Sequence, residues 1–147
     1  MSDYSQTYST VVVASPEDCF AVLTDFEAYP DWSSPIAESR VLERYPDGLA
    51  RRVAMALDMK IKTVRYTLEY TYDRPRGARW RLVDGDVKDV QGSYSFEPAA
   101  SGTTATCTQS IDVGFWIPGF LRSVFEKKAL QDSVEEFRKA VESRGRA

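Results

Sequence analysis

The chain has 147 residues, 43% of them hydrophobic and 28% charged, with a net charge of −3, the size and balance of a single domain spanning residues 1–147. It contains no histidine and two cysteines, Cys19 and Cys107, without metal-ligand spacing, so Ser-His or Cys-His catalysis and zinc hydrolysis have almost no room and no metal is expected. No apolar run nears the roughly 20 residues of a membrane span, the first ten residues are polar, and two buried thiols suit a reducing compartment, so a cytoplasmic protein is expected.

Gln6–Ala14 reads as a strand with Val11-Val12-Val13 as its β-branched end. Ser15-Pro16-Glu17-Asp18 then opens a helix, with Ser15 as N-cap, proline at the first helical position and acids in the first turn. Cys19, Phe20, Leu23 and Phe26 supply its apolar face. Asp25 can start a second short helix carrying Phe26, Tyr29 and Trp32, interrupted by Pro30 and stopped at Ser33-Ser34-Pro35.

Six further strands are predicted, over Ile36–Tyr45, Ala50–Met59, Lys62–Tyr72, Arg79–Val83, Lys88–Phe96 and Thr103–Val113. Pro46-Asp47-Gly48, Pro75-Arg76-Gly77, Asp84-Gly85-Asp86 and Ala100-Ser101-Gly102 are turn signals between them. Met59–Lys62 has no such signal, which leaves one long bent strand as an alternative there. Hairpin spacing without intervening helices predicts an antiparallel sheet of about six to seven strands.

The sheet has an aromatic and a polar side. Val64, Tyr66, Leu68, Tyr70 and Tyr72 alternate with Arg65, Thr67, Glu69 and Thr71, Trp80 and Leu82 with Arg79 and Arg81, and Val90, Tyr94 and Phe96 with Gln91, Ser93 and Ser95. Between Arg51 and Arg81 nine basic residues face three acids, and many of the basic ones fall on the polar side. That is the pattern of a solvated outer face, or of a transient contact with a membrane or a ribosome. Asp58 and Glu69 are expected to face outward or to stand isolated, and Asp84 and Asp86 flank a turn glycine, so no carboxylate pair is clearly placed for acid–base work.

The last helix is predicted from about Pro118 to Ser143, with Gly145 as its stop. From Leu130 its apolar stripe is Leu130, Val134, Phe137 and Val141, as packing on a sheet requires. Before that, Phe115, Trp116, Phe120, Leu121, Val124 and Phe125 are apolar on more than one side, as in a helix that borders a cavity mouth or touches a membrane.

Several of these segments resemble the START-like, helix-grip superfamily of polyketide cyclases and aromatases, coenzyme Q-binding proteins and ribosome-association toxins. The carriers are Val12-Val13-Ala14-Ser15-Pro16-Glu17, Phe26-Glu27-Ala28-Tyr29-Pro30-Asp31-Trp32, Gln91-Gly92-Ser93-Tyr94-Ser95-Phe96 and Trp116-Ile117-Pro118-Gly119-Phe120-Leu121. The resemblance implies an α+β helix-grip fold, in which a curved antiparallel sheet and two short helices enclose an apolar cavity beneath the C-terminal helix. Such pockets run to roughly 300–1,000 Å³.

Ordinary core packing explains any one of the inward residues; together they make a candidate lining. Trp32 comes from the short helix, Met55 and Leu57, with Met59 in the same parity, from one strand, and Tyr66, Leu68 and Tyr70 from the next. Trp80, Tyr94 and Gln109 follow from the later strands, and Phe120, Val124 and Phe125 from the last helix. Arg65 has the opposite parity and is expected to face water. No cofactor is expected. The expected function is binding, sequestration or transfer of a hydrophobic small molecule such as a lipid, quinone or polyketide, entering near Trp32 and the start of the last helix. A polyketide cyclase, aromatase or dehydratase is the alternative, and a ribosome- or membrane-associated accessory protein a second one.

Overall fold

The computed structural model describes residues 5–60, 62–116, 119 and 127–144. Seven strands form one antiparallel sheet: β1 (Gln6–Val12), β2 (Ile36–Arg44), β3 (Ala50–Asp58), β4 (Thr63–Asp73), β5 (Gly77–Gly85), β6 (Asp89–Ala99) and β7 (Gly102–Asp112). Their spatial order is β1-β7-β6-β5-β4-β3-β2. Consecutive strands from β2 to β7 are hairpin neighbours, whereas β1 and β2, adjacent in sequence, lie at opposite edges. The segment joining those edges holds α1 (Pro16–Leu23), a 3₁₀ turn (Phe26–Ala28) and α2 (Tyr29–Trp32). The described part of the last helix, α3, is Lys127–Arg144.

Local chemistry sets these boundaries. β1 ends at Val12, earlier than Ala14, because the chain turns at the helix cap: the Thr103 hydroxyl donates to the Ala14 carbonyl at 2.7 Å, and the Ser15 hydroxyl accepts from the Asp18 amide at 3.1 Å. Asp25 precedes the 3₁₀ turn without a side-chain cap. Between β3 and β4 the chain turns after all. Lys60 takes a positive φ of 77°, its amide donates to the Asp58 carboxylate at 2.8 Å, and the Met59 amide donates to the Lys62 carbonyl at 2.9 Å. Asp58 thus supplies the turn chemistry that glycine or asparagine would ordinarily provide. It is engaged, not isolated.

β5 is longer than the Arg79–Val83 expected, and it carries a bulge. Thr67 pairs with Asp84 but Leu68 with Leu82, so Val83 is the extra residue. Beyond it Gly85 has φ +145°, and a Cβ there would come 2.5 Å from the Cα of Tyr66. A carboxylate from a helical segment meets one amide at each sheet edge: the Val13 amide, just past β1, donates to Glu142 at 2.9 Å, and the Val41 amide on β2 to Glu27 at 3.4 Å.

On the inner face, α3 packs the buried Leu130, Val134, Phe137 and Val141 against the sheet, the stripe that the sequence predicts. Its expected beginning near Pro118 and its stop at Gly145 lie outside the described residues. Phe137 stacks on Phe96 with centroids 5.8 Å apart and meets Tyr94 at 4.8 Å. Among the described residues no helix is long and apolar enough to cross a membrane.

Candidate functional site

Strand register assembles the site. Tyr70 pairs with Trp80, Trp80 with Gly92, and Gly92 with Gln109, so one row across β4–β7 brings three of the expected lining residues side by side. Gly92 is what lets that row lie flat. A Cβ at this position would sit 2.4 Å from the Trp80 ring, so only glycine allows the indole to rest on the neighbouring strand. A second row pairs Met55 with Tyr66, and Tyr66 with Gly85.

Between these rows, α2 and α3 is a cavity of about 150 Å³. Nine of the expected residues line it: Trp32, Met55 and Leu57; Tyr66, Leu68 and Tyr70; and Trp80, Tyr94 and Gln109. Phe120, Val124 and Phe125 lie outside the described residues. Met59 belongs to the packed core instead, and of the sheet aromatics Tyr72 and Phe96 pack without reaching the cavity. Residues not assigned to the lining from sequence complete the wall, among them Leu23 and Tyr29 before Trp32, Ile111 on β7, and Leu130 and Ser133 on α3. Tyr29 stands three residues before Trp32 on the same helical face and could have been read from that spacing.

The cavity borders a wider, more polar chamber of about 530 Å³ that shares Pro35, Leu57, Gln109, Ile111, Leu130 and Ser133 with it. Ser34 and Pro35 after α2, Asp58 and Lys60 in the β3–β4 turn, and Asp132, Glu136 and Lys139 on α3 line this chamber. Of its acids, Glu136 accepts from the Ser34 amide at 3.1 Å and Asp132 pairs with Lys128 at 3.1 Å. The inner cavity alone is smaller than the range the fold implies; the chamber falls within it.

Electrically the two spaces differ. Every described side chain lining the inner cavity is uncharged at neutral pH. Burial pushes the hydroxyls of Tyr29, Tyr66, Tyr70 and Tyr94 above the usual tyrosine value of 10.0, and it pushes the Cys107 thiol up to about 12. None of these side chains can serve as a base near pH 7; they can donate or accept hydrogen bonds. The Trp32 indole nitrogen is buried without a partner among the described residues, wedged between Tyr29 and Phe137 at centroid distances of 4.9 and 5.9 Å. Both cysteines are free and buried, and among the described residues no cluster of acidic or cysteine side chains could hold a metal.

Outside the sheet, Arg65 is exposed and paired with Glu38, as its parity predicts. Glu69 is not isolated: its carboxylate meets Arg51 at 3.3 Å and also bonds Arg81. Part of the basic excess is thereby neutralised within the sheet.

The family described as polyketide cyclase/dehydrase and lipid transport matches residues 12–138. Three solved structures share the fold. A START superfamily protein from Mycobacterium smegmatis is similar at 24% identity and a TM-score of 0.76, with 95% of each chain covered. A protein from Thermus thermophilus is similar at 22% identity and a TM-score of 0.76, again with 95% of each chain covered. The ZhuI aromatase/cyclase from Streptomyces sp. R1128 is similar at 19% identity and a TM-score of 0.78, with 97% of this chain and 96% of that one covered. No curated protein matches in sequence.

Proposed function

Because the chain belongs to the polyketide cyclase/dehydrase and lipid transport family, we propose that it binds a hydrophobic small molecule between sheet and α3 and holds or hands it on. The observation that carries this reading is the uncharged, aromatic-walled cavity of about 150 Å³ continuing into a polar chamber of about 530 Å³. An apolar body can leave water in the first while the polar remainder stays solvated in the second. Native mass spectrometry of the purified protein, followed by organic extraction, tests for a resident guest. With a bound apolar dye as probe, Tyr70→Ala or Trp80→Ala should alter affinity more than Arg65→Ala. The larger effect at Arg65, in a folded protein, would overturn the assignment of faces.

Two features favour a carrier over a cyclase or dehydratase. No charged side chain among the described residues lines the inner cavity, and its tyrosines are held in their neutral form. The fold shared with an aromatase/cyclase keeps the enzyme reading in play; turnover of an aromatic polyketide substrate would establish it. We place the protein in the cytoplasm on the strength of its two free buried thiols. Contact of the basic outer face with a membrane or ribosome would appear as salt-sensitive co-sedimentation.

A further inference from the structure

The chain's tyrosine hydroxyls fall into distinct groups. Four serve the framework: Tyr8 donates to the Glu135 carboxylate at 2.8 Å, Tyr29 to the Leu23 carbonyl, Tyr45 to the Tyr70 carbonyl at 2.7 Å and Tyr72 to the Ala50 carbonyl at 2.6 Å. Tyr66 and Tyr70 differ. They are 8% and 3% exposed, yet their hydroxyls bond no group among the described residues. Neither oxygen is sealed against packed atoms, as the Trp32 nitrogen is. Both residues line the cavity, and Tyr66 also borders a groove shared with Arg65 and Asp86. Gln109, at the end of the Tyr70–Trp80–Gly92–Gln109 row, is half-buried and lines both this cavity and the outer chamber, and its amide has no protein partner among the described residues.

Buried polar groups are ordinarily hydrogen-bonded, and leaving one unmatched costs stability. Two buried hydroxyls at one void, with an amide where it meets the chamber, therefore describe what the void receives. A saturated acyl chain would leave both hydroxyls unmatched. A carboxylate would enter a space with no counter-charge and lose its hydration. Size narrows the choice, since a cavity of about 150 Å³ holds a guest on the scale of a benzene ring.

Building on the ligand-binding reading above, we propose that the inner cavity selects a neutral, single-ring group bearing a carbonyl or ether oxygen, read by Tyr66, Tyr70 and Gln109. The rest of the ligand lies in the outer chamber. The structure thereby distinguishes an oxygenated ring, which enters the inner cavity, from a hydrocarbon tail or an acid, which does not satisfy it.

Three probes on one indane frame test this by NMR titration: 1-indanone, which carries a ketone, indane, which lacks it, and indane-1-carboxylate. Wild-type protein should bind indanone about tenfold more tightly than indane, and the carboxylate more weakly than either. At least one of Tyr66→Phe, Tyr70→Phe and Gln109→Leu should bring the ratio of indanone to indane affinity down to about one in a protein that remains folded. Equal affinity for indanone and indane in the wild type, or a preference that survives all three substitutions, overturns the proposal but leaves the apolar-site reading standing. Failure of both neutral probes to bind overturns the two together.

Discussion

At the scale of the residue, a tyrosine hydroxyl either holds the framework together or faces the void, and the same truncation should separate the two. Tyr72→Phe removes a 2.6 Å hydrogen bond and strips the Ala50 carbonyl of a donor, which should cost about 1 kcal/mol. Tyr66→Phe removes a hydroxyl with no partner among the described residues from a buried side chain, so stability should stay level or rise. Urea midpoints of the two variants check this, and an equal loss in both would show that the Tyr66 hydroxyl is bonded in the apo protein. Glycine shows the same logic in reverse: at Gly92 an absent side chain is what gives the Trp80 indole its place.

At the scale of the element, the outer face of β3–β4–β5 is organised around Glu69. Pairing of Arg52 with Glu69, and of Glu69 with Arg81, sets a carboxylate between two arginines, and Arg51 adds a third. The hydrogen bond from Arg81 is the largest influence holding the Glu69 carboxyl below the usual value of 4.5. A carboxyl depressed in the folded state contributes stability that is complete above its unfolded value. That stability is lost as the pH falls through the lower folded one. Wild-type protein should therefore lose stability as the pH drops below 4.5, and Glu69→Gln should flatten that limb. Thermal unfolding between pH 3 and 6 measures it; an unchanged slope would mean that the pair is fully screened by solvent.

At the scale of the whole molecule, the sheet is open and α3 closes it. Phe137 is the centre of that closure. It is 1% exposed and meets Trp32, Tyr94 and Phe96 with centroids 5.9, 4.8 and 5.8 Å away, so it joins the short helices, the sheet and α3 in one aromatic cluster. Phe137→Ala should cost about 3–5 kcal/mol and should enlarge the space next to Tyr94. Denaturant unfolding and affinity for an apolar dye then report both consequences: a less stable protein that accepts a larger guest. A small loss of stability with unchanged binding would show that α3 is held elsewhere.

Alternation by itself determined which side of each strand turns inward, because side chains on a strand point to opposite faces whatever the strand pairs with. That is why Tyr66, Tyr70 and Trp80 could be separated from Arg65 and Arg81 before any contact was known. Capping chemistry likewise placed the start of α1, through Ser15 and Pro16. What no local pattern carries is pairing between distant segments. The meeting of β1 with β7, the row that joins Tyr70 to Gln109, and the arginines around Glu69 all follow from register between strands. Cavity volume belongs to the same class: it is the small remainder after helix and sheet have packed, decided by every neighbour at once and by no single stretch of chain.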